Sequence, residues 1–254
     1  MTTDRLESLQ QREIDYWRES EHEAPESDSI HNVINKMSDV PVFMDALQRY
    51  ESLFAKPGPL RVLELGGGQG WSTCLIKRLH PSAHVTLTDI SPYAVQSATK
   101  WERVFQTKLD AAYACQSYNI TEPADSVDVV YCFAAAHHFR AHRRTLKEVH
   151  RILRPGGTAL YLYEPTCPQM LHGMAYRRVN RIRPDVEEDV LVWRHLLDIA
   201  REVGLEARVD FHPSTIRRRP VPAIYYAALS VLPFLCRLVP CTANFVFTKP
   251  ATRH

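Results

Sequence analysis

Glycine is scarce in this 254-residue sequence, with nine in all. The six cysteines, Cys74, Cys115, Cys132, Cys167, Cys236 and Cys241, form no Cys-x-x-Cys pair. Several lie in apolar stretches, so they read as reduced thiols rather than disulfides or zinc ligands, and no metal is expected. A large excess of charge of either sign is also missing. A net charge of +2 gives no electrostatic reason to expect nucleic acid as a partner. The opening residues, Met1 to Arg5, are polar and lack the apolar core of a secretory signal, which places the expectation in the cytoplasm. One long uncharged run exists, Pro220 to Cys236, but Pro220, Pro222 and Pro233 interrupt it, and a full span would sever the last strand from its sheet. No stable membrane span is expected.

Four of the nine glycines fall within five positions, Gly66, Gly67, Gly68 and Gly70. Leu60 to Leu65 before them is a short apolar run suited to a strand buried on both faces. After them Leu75, Ile76 and Leu79 share one face of a helix. Strand, glycine turn and helix N-terminus together make a unit that binds nucleotide-like ligands in open α/β sheets. A dinucleotide fingerprint fails, because the third small residue would be Trp71 or Thr73. A phosphate-binding loop also fails, because no Lys-Ser or Lys-Thr pair closes the turn. The next strand, His84 to Asp89, ends in an acid, and Ser91-Pro92 then starts a helix. Asp89 reads either as a helix N-terminal charge or as the acceptor for two ribose hydroxyls; its spacing from the glycines favours ribose.

Two further blocks follow in order. Asp128-Val129-Val130 leads into His137-His138-Phe139, and Leu153-Arg154-Pro155-Gly156-Gly157-Thr158 comes after a helix. Together with Glu64-Leu65-Gly66-Gly67-Gly68-Gln69-Gly70, this resembles the class I S-adenosylmethionine-dependent methyltransferases over residues 60 to about 164. The resemblance implies a seven-stranded, mostly parallel, doubly wound α/β sheet of Rossmann-like methyltransferase type, with S-adenosyl-L-methionine as cofactor. It implies that Glu64, Gly66, Gly67, Gly68 and Gly70 hold the methionine half, and Asp89 with Ile90 the ribose. Asn119, Ile120 and Phe133 would complete the cofactor site. His137 and His138 become candidate bases or orienting groups, and Glu164 a second base candidate. Phe133-Ala134-Ala135-Ala136 stands where an Asn-Pro-Pro-Tyr motif would mark amino methylation, which argues against DNA adenine as substrate. Two rivals share parts of this pattern. One is a fold relative that binds the cofactor and catalyses a non-methylating biosynthetic step; the other is a nicotinamide oxidoreductase, disfavoured by the missing third glycine.

Residues 1–56 read as an N-terminal helical cap, either covering the sheet or acting as a lid, with Tyr16 and Trp17 as the lid candidates. Residues 57–254 form the cofactor-binding domain, with substrate-side inserts at 164–189 and 214–242. The basic stretch Arg177 to Arg183 is a solvated face or a seat for an anionic group. Leu205 to Phe211 and Asn244 to Thr248 supply the last two strands. The apolar run 220–236 reads first as core, pocket wall or homodimer contact, and second as peripheral membrane contact. An enclosed pocket for an apolar small molecule, a natural-product intermediate or lipid-like acceptor, is the expected outcome.

Overall fold

The computed structural model describes residues 3–25, 27, 29–55, 58–182 and 187–251. The cap boundary at 56 and 57, and Arg183 at the end of the basic stretch, lie outside the described residues. The chain begins with α1 (Thr3–Glu19) and α2 (Ile30–Gln48), followed by a 3-10 turn at Glu51–Leu53. The first half of the sheet contains β1 (Arg61–Leu65), α3 (Trp71–Leu79), β2 (His84–Asp89), α4 (Pro92–Gln96), α5 (Ala98–Phe105) and β3 (Ala111–Ala114). Next come β4 (Val127–Phe133), a 3-10 turn at Ala136–His138, α6 (His142–Ile152), β5 (Leu153–Cys167) and α7 (His172–Ile182). The chain finishes with β6 (Leu191–Val192), α8 (Trp193–Glu202), β7 (Glu206–Phe211), α9 (Pro220–Val231) and β8 (Cys241–Thr248).

The strands lie in the order β3-β2-β1-β4-β5-β8-β7, with the two-residue β6 pairing β5 as an eighth strand. Pairs from β3 through β5 are parallel, and β8 runs antiparallel to both β5 and β7. Side chains alternate between the two faces, as strand geometry requires. Leu63, Val130, Cys132, Tyr161, Phe245 and Phe247 pack with α6 and α8 on one face. Val62, Val85, Leu87, Val129, Tyr131, Leu160 and Val246 pack with α2, α3 and α5 on the other. Burial on both faces explains the near-continuous apolar strands of the sequence. From β1 the chain winds out to β3, then returns to β4 on the other side of β1. That reversal opens a crevice at the C-terminal ends of β1 and β4.

Four local features depart from the sequence reading. The helical pattern expected up to residue 56 is shortened: α2 runs through Pro41 but ends at Gln48, and a 3-10 turn at Glu51–Leu53 follows it. Phe43 and Ala46 of α2 are wholly buried, so α2 is part of the core, and a cap ending at 56 divides a single packed unit. Residues Ala111 to Ser117 read as the third strand, but β3 stops at Ala114, three residues short, because the turn Gln116–Asn119 takes over. Pro155-Gly156-Gly157 lies inside β5 and does not separate α6 from the strand: α6 ends at Ile152, Leu153 already pairs Val127, and the register shifts before Thr158 meets Val129.

Candidate active site

The glycine loop closes over the end of β1 by bonds to its neighbours. Gly67 N–H donates to Thr88 O at 3.0 Å, and Gly68 N–H donates to Asp89 Oδ2 at 2.9 Å. Gly68 adopts φ +55°, and a Cβ there would stand 3.2 Å from the Trp17 ring. At Gly67 the constraint is space: a Cβ would meet Leu87 Cδ1 at 2.5 Å and Glu64 Cδ at 2.9 Å. Asp89 is buried and also accepts from Ser91 N–H at 2.9 Å, so each oxygen takes one backbone donor. Burial raises its pKa against the pull of those bonds.

Beyond the loop lies a cavity of about 990 Å³. Gly66, Gly67, Gly68, Asp89, Ile90, Phe133, His137 and His138 line it, as do Tyr16 and Trp17 from α1. The two expected inserts contribute Pro165, Val179 and Glu188 from one side, and Arg218, Tyr226 and Thr242 from the other. Glu13 of α1 also reaches it, with its carboxylate 3.7 Å from His138 Nδ1. Burial, followed by the charge of Asp89, lifts Glu13 to about 7. His137, His138 and Glu188 bring ligand-type atoms within 4.8 Å of one another on this wall.

Five expected site residues do not line the cavity. Glu64 lies beneath the loop, where its carboxylate accepts from Ser72 Oγ at 2.6 Å, Tyr131 OH at 2.8 Å and Thr73 Oγ1. It therefore braces the loop and the start of α3 from inside, and burial raises it to about 6. Gly70 caps α3 at φ +80°. Asn119 is exposed, and Ile120 is core under α6; the early end of β3 presents Cys115, Ser117 and Tyr118 to the cavity instead.

Glu164 is the fifth. Its side chain is fully buried and accepts the N–H groups of Ala135 (2.9 Å), Ala136 (2.8 Å) and His137 (3.1 Å). His137 Nδ1 adds a fourth bond at 2.9 Å. With backbone donors on both oxygens the carboxylate is the acceptor, so Nδ1 carries the hydrogen and Nε2 is left as the ring's basic atom. A break in β5 register between Tyr161 and Glu164, with Tyr163 at φ +57°, aims Glu164 at this turn. Burial alone would lower the pKa of His137, but the Glu164 bond and charge, with Glu188 and Glu13 behind them, raise it overall.

Sequence reasoning missed Gln69. Its buried amide oxygen accepts from Asn32 Nδ2 at 3.0 Å and Trp101 Nε1 at 3.1 Å, and its Nε2 donates to Glu23 O at 2.8 Å. It thereby joins the N-terminal segment to the loop. Its place inside the glycine motif was the only clue, since its partners lie 32 to 46 residues away.

The apolar run 220–236 serves as core and cavity wall at only some of its positions. Leu229 and Cys236 are buried, and Tyr226 reaches the cavity, but Val221 (79%), Ile224 (71%), Val231 (78%) and Phe234 (60%) are exposed. The run has more apolar positions than α9 has inward-facing ones. No helix among the described residues is long and apolar enough to cross a membrane.

Residues 63–161 match the family described as a methyltransferase domain. The 2-methyl-6-phytyl-1,4-hydroquinone methyltransferase 2 of Oryza sativa is 32% identical over 135 residues, 53% of this chain and 37% of that protein. The demethylmenaquinone methyltransferase of Thermus thermophilus is 24% identical over 149 residues, 58% of this chain and 66% of its own length. The matches thus span less than two thirds of either relative. Among solved structures, geranyl diphosphate C-methyltransferase of Streptomyces coelicolor superposes with a TM-score of 0.65 at 12% identity, covering 96% of this chain and 98% of that one, and shares the fold. With the strand order and the glycine loop, the match identifies residues 63–161 as a methyltransferase domain, similar to those of the class I S-adenosylmethionine-dependent methyltransferases.

Proposed function

We propose that this chain moves a methyl group from S-adenosylmethionine to an apolar small-molecule acceptor, with natural-product or lipid-like character. The observation that carries this is one cavity with two unlike ends. The glycine loop and Asp89 form one end, and the other has aromatic walls and a histidine oriented by a buried carboxylate. The residues present fit the cofactor. The loop lines the cavity at Gly66, Gly67 and Gly68, and the Asp89 carboxylate, held by the N–H groups of Gly68 and Ser91, keeps lone pairs for a ribose diol. Gly66, Gly67 and Gly68 would hold the methionine half, Asp89 and Ile90 the ribose, and Ser117 and Tyr118 the base. When bound, the cofactor would supply a sulfonium methyl open to in-line attack by an acceptor nucleophile, with S-adenosylhomocysteine as the leaving group.

The chain's own residues supply alignment and proton removal. Phe133 and Tyr163 stack with ring centroids 5.9 Å apart and form a flat apolar wall. His137 Nε2 takes the acceptor proton, and Glu164 holds the ring in that tautomer. α1 serves as the lid, with Trp17 over Gly68 excluding water from the reacting groups. The two relatives named above are methyltransferases of a phytyl hydroquinone and of demethylmenaquinone, and acceptors of that ring-and-tail kind suit these walls. The exposed face of α9 then has a use. No Asp or Glu follows Asp210 in the sequence, and Arg219 and Arg237 flank the apolar side chains, so we assign this face to an anionic membrane surface next to the cavity mouth.

Calorimetric titration with S-adenosylhomocysteine tests the reading. The native protein binds, and Asp89→Ala binds about tenfold or more weakly, since two ribose bonds to a charged acceptor are lost. Absence of binding to the native protein removes the methyltransferase proposal. Binding without methyl transfer to any prenylated quinol or phenol would favour the non-methylating rival.

A further inference from the structure

Arg217, Arg218 and Arg219 follow β7 in sequence but end in different surroundings. Arg219 is exposed, and Arg217 pairs with Asp39. Arg218 turns inward to the cavity. Its Nε donates to Ser214 O at 2.6 Å, and its Nη2 donates to Tyr163 OH at 2.8 Å. The guanidinium carbon lies 3.3 Å from the ring centre of Tyr226 and 5.6 Å from that of Tyr163. Bonding and stacking on this scale fix the head group in one pose and remove much of the entropy cost of using it.

What this head group lacks is an anion. Among the described residues no carboxylate lies in ion-pair range of Arg218, and no protein acceptor takes the protons of Nη1. A half-buried guanidinium without a counter-charge is costly unless something supplies one. The charge also stands beside the aromatic wall assigned to the acceptor, with Tyr163 belonging to both features.

We infer that Arg218 is an anion-recognition residue: the acceptor carries a carboxylate or phosphate that docks on the free Nη1 edge while its apolar body lies against Tyr163 and Tyr226. This rests on the acceptor-side reading of the cavity and narrows it from an apolar molecule to an amphiphilic oxyanion. Tyr163, held at φ +57° by the β5 irregularity, positions both the wall and the guanidinium. A purely structural Arg218 would tie the segment before α9 to β5 and β8 and would show no preference among ligands by charge.

The test uses matched probes: 4-pentylbenzoate, the neutral 4-pentylbenzamide, and 4-pentylphenyl phosphate, titrated calorimetrically with and without S-adenosylhomocysteine. The native protein should bind at least one oxyanion about tenfold or more tightly than the amide. The better of the two identifies the head group as carboxylate or phosphate. In Arg218→Gln the preference should fall to about twofold or less, while Arg218→Lys keeps part of it and the exposed control Arg219→Gln keeps all of it. Unchanged S-adenosylhomocysteine affinity shows that the variants fold, and its absence in the native protein would count against the cofactor reading alone. Equal binding of amide and oxyanions, failure of both oxyanions to bind the native protein, or a preference that survives Arg218→Gln each overturns the inference.

Discussion

Replacing Glu164 with Gln changes one atom type at a place where both oxygens are in use. The Gln oxygen can keep the Ala135 and Ala136 N–H bonds of 2.9 and 2.8 Å. Its NH2 group then takes the place of Oε2, which accepts both the backbone N–H and Nδ1 of His137. A donor faces a donor at the backbone, and one buried charge-assisted bond is lost, at a cost of about 3 kcal/mol. For a chain of this size that corresponds to a fall in Tm of about 6–12 °C. The imidazole can relieve its own conflict by moving its hydrogen to Nε2, so that Nδ1 accepts from the amide. The cavity-facing nitrogen then ceases to be a base, and methyl transfer to an acceptor that needs proton removal drops about a hundredfold or more. Ring-nitrogen NMR on histidine-labelled protein reads the tautomer without any acceptor. In the native protein Nδ1 is protonated, and in the variant Nε2 is. The pH dependence adds a sign. A histidine whose folded pKa is raised contributes stability below the unfolded value, about 6.5, and that contribution is lost as pH rises through the folded value. Glu164→Gln should flatten this segment of the stability profile. A variant with native Tm and an unchanged tautomer would refute the assignment of Glu164 as the orienting group.

Gly67→Ala forces Leu87 or the tethered Glu64 to move and should cost about 1–3 kcal/mol in urea unfolding while weakening S-adenosylhomocysteine binding. A silent substitution would mean that the loop is looser than these contacts require. Glu64 holds its proton up to about 6 in the folded protein, against an ordinary 4.5. Native stability therefore contains a component that falls by about 2 kcal/mol as pH rises from about 4.5 to about 6. Glu64→Gln, whose three hydroxyl partners can rotate to suit an amide, should fold and remove that slope, which denaturation at stepped pH will measure. In flotation assays the protein should associate with phosphatidylglycerol vesicles, less with phosphatidylcholine and less at high salt, and Ile224→Ser with Phe234→Ser should release it. Dimerisation that depends on these two side chains, without vesicle binding, would assign the face to a second copy of the chain.

The sequence by itself determined the class of sheet, the place of the loop and the acid that ends β2. Each is a local matter: an apolar run long enough for a doubly buried strand, glycines where the backbone must turn, and Asp89 one strand later. Gly66, Gly67, Gly68, Asp89, Ile90, Phe133, His137 and His138 reach the cavity because strand ends and their following turns converge on the topological switch, and Tyr16 and Trp17 reach it from α1. Local pattern failed wherever a role depends on distant partners. Glu64 and Glu164 are both acids in apolar strands, and only the packed sheet turns them into braces, one under the loop and one under the His137 turn. Asn119 and Ile120 lost their expected place because β3 ended early, a matter of tertiary competition that no nearby residue announces. The three consecutive arginines are chemically identical in sequence. Tertiary structure alone paired one, exposed another and left Arg218 stacked in the cavity without a counter-ion, because partner geometry and burial are properties of the assembled sheet and not of the chain.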